Sequence, residues 1–222
     1  MNYKVNNIYP CIQGEGVLTG TPMIMLRLQG CPVGCSFCDT KETWDVTPSD
    51  SYSDYKDSFG VNTKYWEASP LSITNHLVEK YKHIKWVLIS GGEPAIADLT
   101  SLVTSLHNEG FKVALETSGT AIGFIDANID WVCISPKIDR AGGLPIINSV
   151  FSYADEIKHV IGKEADLVKL DNLLEEVTLK KECIICLQPM SQSKKATEFC
   201  IETVMKRGYR LSVQVHKYLQ ID

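Results

Sequence analysis

Short β-rich runs alternate with helical stretches from residue 23 almost to the end of the chain, and this alternation restricts the fold more than any other feature. The β-rich runs are "MIMLRLQ" (23–29), "KWVLIS" (85–90), "FKVALET" (111–117), "WVCIS" (131–135), "EIKHVI" (156–161), "CIICLQ" (183–188) and "YRLSVQV" (209–215). Helical periodicity falls between several of them. Ile73, Leu77 and Tyr81 recur at four-residue spacing over 72–83, with Ser72 as the expected cap. "DLTSLVTSLHNEG" closes on Gly110, a helix is expected near 165–177, and another near 193–207 closes on Gly208. Strands separated by helices pair in parallel as βαβ units. About six such units are too few for an eight-fold barrel, so the expected fold is α/β, an open or partial (β/α) barrel in a single domain spanning 1–222.

Polar, chemistry-bearing residues gather at one place in this pattern. "GCPVGCSFCDT" (30–40), "SGGEP" (90–94), "ETSG" (116–119), "SPK" (135–137), "QPMS" (188–191) and "HKY" (216–218) each end or follow a strand. In parallel barrels the segments after the strands' carboxyl ends form one face, which carries the active site. Two segments stand outside the pattern. Residues 1–22 are expected to form a hairpin-like N-terminal extension with a turn at "QGEG" (13–16). Residues 45–70 are polar and aromatic with weak periodicity and are expected to be an insertion after the cysteine loop.

Charge narrows the function. The chain has 22 basic and 27 acidic residues, a net charge of −5, which argues against gripping a phosphate backbone and favours small-molecule chemistry. No apolar run is long enough to span a membrane, and the first residues lack a signal-peptide pattern. A cytoplasmic setting is expected, where the eight cysteines stay reduced and their clustering suggests metal or redox work.

Cys31, Cys35 and Cys38 supply three thiolates in one loop with C-x3-C-x2-C spacing. A structural zinc site needs a fourth Cys or His, and "DTKETWD" offers none. Cys183 and Cys186, three apart in an extended strand, point to opposite faces and are expected to be small core residues, as are Cys133 and Cys200. An iron–sulfur cluster on three thiolates leaves one iron open to an external ligand.

The cysteine spacing followed downstream by "GGEP" resembles the radical S-adenosylmethionine (SAM) superfamily, in which SAM takes the open iron and is cleaved to a carbon radical. Across the whole chain, "QGEG", "RLQGCPVGCSFCDT", "GGEP", "ETSGT", "SPK", "EIKHVIG", "LQPMSQ" and "HKYLQI" resemble the 7-carboxy-7-deazaguanine synthases of queuosine biosynthesis, in the form with the short cysteine loop. The resemblance implies a modified, abbreviated (β/α)6-type barrel, a homodimer, a [4Fe–4S] cluster, SAM and Mg2+. It implies conversion of 6-carboxy-5,6,7,8-tetrahydropterin to 7-carboxy-7-deazaguanine by hydrogen abstraction, ring contraction and loss of ammonia. A flavodoxin or ferredoxin would supply the electron.

By the same resemblance, Thr40 would ligate magnesium. Phe37, Cys38, Asp39, Gly92, Ser135, Pro136, Lys137, Gln188, Pro189, Met190 and Ser191 would contact SAM, with no side chain itself catalytic. Ile12, Gln13, Gly14, Glu15, Arg27 and Ser90 would bind substrate. Arg27, opposite Ile24, Leu26 and Leu28 on its strand, suits a carboxylate in the barrel interior. His216 is either structural or a substrate contact. Asp222 would reach substrate as the last residue, although "HKYLQID" departs from the family's Pro-terminated pattern. Two other readings share the cysteine spacing: a glycyl-radical activase acting on a protein, and a non-catalytic iron–sulfur or zinc-binding module.

Overall fold

The computed structural model describes residues 1–55 and 64–220. Its strands are β1 (Tyr3–Ile12), β2 (Pro22–Leu28), β3 (Ser51–Tyr52), β4 (Tyr65–Ala68), β5 (Trp86–Gly91), β6 (Lys112–Thr117), β7 (Trp131–Ile134), β8 (Glu156–Ile161), β9 (Ile184–Pro189) and β10 (Arg210–Leu211). They form one open sheet in the order β10-β9-β8-β7-β6-β5-β2-β1-β4-β3. From β2 through β5 to β10 every neighbouring pair is parallel. The helices are α1 (Pro70–Tyr81), α2 (Thr100–Asn108), α3 (Glu164–Glu176), α4 (Lys194–Arg207) and α5 (Val215–Leu219). This is the open, partial α/β barrel expected. The crossovers from β6 to β7 and from β7 to β8 carry no α-helix; the second holds a 3-10 helix at Asn148–Tyr153.

Period-two alternation sorts the two faces of the sheet. Ile24, Leu26, Leu28, Val87, Ile89, Ile157 and Ile161 point outward into the main apolar core, where α1 and α2 contribute Ile73, Leu77, Leu102 and Leu106. The inner face is different in kind. Met23, Leu88 and Ala114 form a small apolar cluster there. Arg27, Glu116, Lys158 and Val160 line a cleft above it.

Several expectations need correction. The N-terminal segment does form a hairpin with β2, but β1 lies inside the sheet between β2 and β4. The segment after the cysteine loop also returns to the sheet: β4 pairs with β1, and Tyr65 and Trp66 are buried. Part of that insertion, residues 56–63, lies outside the described residues. The cap of α1 is Ser69, whose hydroxyl accepts from the Ser72 N–H at 3.1 Å. Pro70 explains the shift, since a proline tolerates the first helical position, where its missing N–H has no partner to lose. The run 209–215 is a strand only at Arg210–Leu211. Beyond it, Ser212 Oγ donates to Gln188 Oε1 and Gln214 Nε2 donates to Glu15 Oε1, and these side-chain ties draw the chain off the ladder.

The cysteine pair at 183 and 186 diverges as the strand geometry requires. Cys183 packs against the outer core, while Cys186 is buried on the inner side near Glu156. Cys133 also deviates from a simple core residue, because its surroundings include Lys158, Glu156 and Glu116. Cys200, on α4, faces the apolar core.

Candidate active site

The cleft, about 1040 Å³, runs along the inner face from the cysteine loop to the turn after β1. The first lies at the carboxyl end of β2 and the second at its amino end, because Ile12 pairs with Pro22. One cavity therefore joins the two ends of the half-barrel.

At the upper end the loop 30–44 folds back on itself. Gly30 N donates to Thr43 O at 2.7 Å, Cys31 N to Trp44 O at 3.0 Å and Cys38 N to Cys35 O at 3.1 Å. The three cysteines are free thiols that face the cleft. Among the described residues, no three His, Cys, Asp or Glu side chains are placed to hold one metal ion. Ligands spread along a loop suit separate corners of a cluster better than a single tetrahedral ion. The turn after β7 braces this loop. Gly142 N donates to Val33 O at 3.1 Å, and Arg140 stacks on Phe37 at 4.7 Å.

The "GGEP" segment has a packing role that sequence alone did not show. A Cβ on Gly92 would stand 2.1 Å from the Gly30 carbonyl oxygen, so the absence of a side chain lets this turn press on the cysteine loop. Glu93 is 2 % exposed and accepts from Ala95 N, Thr117 Oγ1 and Ser118 N at 3.0, 2.6 and 2.7 Å. It brackets the ends of β5 and β6 together.

Ser135 and Lys137 line the cleft, but Pro136 between them does not; alternation of the extended backbone turns it away. Lys137 Nζ donates to Ser135 O and Oγ at 3.1 and 2.6 Å, and burial lowers its pKa from the usual lysine value. Pro189, Met190 and Ser191 line the opposite wall, with Ser191 in the left-handed region at φ 51°. Gln188 also lines the cleft, yet its carbonyl oxygen is taken by Ser212.

The floor is the "QGEG" turn, held from three sides. Gly16 N donates to Ser212 Oγ at 2.8 Å, Val17 N to Glu156 Oε2 at 3.1 Å, and Val215 N to Gly14 O at 2.8 Å. His216 sits so close that a Cβ on Gly14 would meet its Nδ1 at 2.2 Å, which accounts for the glycine.

Lys158, which the sequence reading did not single out, is the hub of this floor. It is 3 % exposed, and its Nζ meets Glu15 Oε2 at 2.6 Å and Glu116 Oε1 at 3.0 Å. Burial alone would raise the pKa of Glu15, but the Lys158 ammonium and the Gln214 amide outweigh it and hold the carboxyl at about 2. Burial alone would lower that of Lys158; the two carboxylates reverse this and place it well above the ordinary lysine range. Gln13 Nε2 also donates to Glu116 Oε1, at 3.0 Å. Among the described residues no partner is assigned to Glu116 Oε2, which leaves this oxygen available to the cleft. The signal for Lys158 and Glu116 was present in sequence as charges on the inward positions of buried strands.

Arg27 lies in the cleft across from Ser90, its register partner on β5. Its Nη2 donates to the hydroxyl of Tyr9 at 2.7 Å, a second residue the sequence reading missed. Of the expected site residues, all but Pro136 and Asp222 line this single cleft, and Asp222 lies outside the described residues.

A largely parallel, open sheet with a three-cysteine loop after its first parallel strand defines a radical SAM domain, and residues 25–174 match the model of the Radical SAM superfamily. The chain thus belongs to the enzymes that use a [4Fe–4S] cluster and SAM. The 7-carboxy-7-deazaguanine synthase of Escherichia coli K12 is 41% identical over 223 residues, covering 100% of both chains. That of Buchnera aphidicola subsp. Schizaphis graminum is 39% identical with the same coverage. The crystal structure of QueE from Escherichia coli matches with a TM-score of 0.89 and 39% identity, over 97% of this chain and 95% of that one. The chain belongs to the 7-carboxy-7-deazaguanine synthase family, radical SAM enzymes of deazapurine biosynthesis. Among the described residues no helix is long and apolar enough to cross a membrane.

Proposed function

We propose that this chain converts 6-carboxy-5,6,7,8-tetrahydropterin to 7-carboxy-7-deazaguanine. The observation that supports this best is the single cleft linking the cysteine loop to a polar floor, with Arg27 on the wall between them. When bound, the cluster and SAM supply a carbon-centred radical that takes a hydrogen atom from the substrate. The protein's part is to bind and orient a flat heterocycle with a carboxylate at one end and an amide–amino edge at the other.

Arg27 receives the carboxylate. Tyr9 accepts one N–H at the edge of its guanidinium and leaves further N–H groups for a paired, charge-assisted contact. Gln13 and the backbone of Ile12 and Gly14 meet the pterin edge. Glu15, expected to share that role, is already committed to Lys158 and Gln214, so Glu116 takes its place as the acceptor for the amino edge. Ser90 supports the ring from the wall.

Thr40 would hold a magnesium ion through one protein oxygen beside the cluster loop, an oxygen ligand of the kind that ion takes. Phe37, Cys38, Asp39, Gly92, Ser135, Lys137, Pro189, Met190 and Ser191 surround the SAM side of the cleft. The enzyme works as a cytoplasmic homodimer with a flavodoxin or ferredoxin as its reductant.

The test is an anaerobic assay with SAM, magnesium, a strong reductant and the tetrahydropterin, run beside Arg27→Lys. The variant should bind substrate roughly 10- to 150-fold more weakly, the loss of a charge-assisted bond of ~1.5–3 kcal/mol. Its iron content and SAM binding should match wild type. No deazaguanine product from wild type, or normal pterin affinity in Arg27→Lys, would defeat the assignment.

A further inference from the structure

Trp44 is the one residue among those described that directs a side-chain N–H at any of the three loop cysteines: its indole Nε1 lies 3.4 Å from Cys38 Sγ. The Thr40 backbone N–H donates to the same sulfur, also at 3.4 Å. The indole is not there by chance of packing. The carbonyl of Trp44 accepts from Cys31 N at 3.0 Å, and the Lys41 ammonium lies 5.8 Å from its ring centroid. One residue thus holds the first cysteine through its backbone and the third through its side chain.

We propose that Trp44 sets the reduction potential of the cluster through this N–H to sulfur bond. The inference rests on Cys38 being a cluster ligand. A cluster on three thiolates is negatively charged and becomes more so on reduction, part of the added charge residing on sulfur. A donor to that sulfur stabilises the reduced form more than the oxidised one and raises the potential. The electron comes from a low-potential one-electron donor and leaves to the carbon–sulfur bond of SAM. The bond therefore favours entry of the electron and moderates its onward transfer.

The experiment uses the reconstituted holoenzyme. Trp44→Phe keeps an aromatic ring in the loop and removes the indole N–H together with its five-membered ring. An EPR-monitored redox titration without SAM should show the ratio of reduced to oxidised cluster falling about tenfold at a fixed potential, equivalent to ~59 mV more negative for one electron. Iron content should stay near wild type. In wild-type protein labelled with 15N-tryptophan, the reduced cluster should show hyperfine coupling to an indole nitrogen, and this signal should vanish in Trp44→Phe. That second readout also decides the matter if the variant holds iron poorly. An unchanged potential at full iron content, or no nitrogen coupling in wild type, overturns the proposal. Full iron retention in Cys38→Ala is a different failure: it removes the ligand assignment beneath the proposal, and the proposal with it.

Discussion

Lys158 shows how one side chain organises a binding floor. A buried ammonium needs compensation, and Glu15 and Glu116 supply it from two other parts of the chain. Lys158→Met should leave Glu15 buried without its cation and cost ~3–5 kcal/mol at neutral pH. The pH dependence has a defined sign. The Glu15 pKa is depressed to about 2 in the folded state, so its stabilisation is present above the ordinary glutamate range near ~4.3 and is lost as pH falls toward 2. In the variant, acid instead protonates a carboxylate that burial alone pushes up. The gap between wild type and Lys158→Met should therefore narrow between pH 7 and about pH 4, measured by urea unfolding at each pH. A gap that is constant with pH would show that the ion pair is not its source.

At the level of elements, the site depends on ties between successive strand ends. Glu93 joins the turn after β5 to the end of β6 with three accepted hydrogen bonds, and Gly92 beside it packs on Gly30. Glu93→Gln replaces an acceptor oxygen with an NH2 group, so one of these donors meets another donor. A loss of ~1–3 kcal/mol in stability is expected, with weaker SAM binding because the Gly92 turn loosens. Urea titration and equilibrium SAM binding check both; full stability would mean that Glu93 is not the bracket. The strands and helices themselves were largely legible from alternation and periodicity. The cap of α1 and the extent of β10 were not. Ser69 and Ser72 are equivalent as residues until Pro70 is weighed, and β10 ends because Ser212 and Gln214 find distant partners.

Over the whole molecule, one cleft runs from the cysteine loop to the "QGEG" turn, with Arg27, Ser90 and Glu116 on the wall between them. The two functions should be separable by mutation. Glu116→Gln should weaken pterin binding roughly 10- to 150-fold by removing a charged acceptor. SAM affinity and iron content should remain within about twofold of wild type, because the partners of Glu116 are Gln13 and Lys158 and not the cysteine loop. Calorimetric titration of each ligand distinguishes the cases. If Glu116→Gln loses SAM binding or iron while the pterin still binds, the assignment of Glu116 to the pterin is wrong.

The sequence by itself determined what depends on local order. The C-x3-C-x2-C loop gathers three thiols within eight residues, and two-residue alternation sets Arg27 on the face opposite Ile24, Leu26 and Leu28. Tertiary structure alone decided which charges meet. Glu15, Glu116, Lys158 and Gln214 are separated by 42 to 199 positions along the chain, and they touch only because the turn after β1 folds across the lumen. That closure commits Glu15 to Lys158 and leaves Glu116 facing the cleft. A local pattern reports the direction of a side chain from its own strand, but the partner it finds is set by how distant strands are brought side by side.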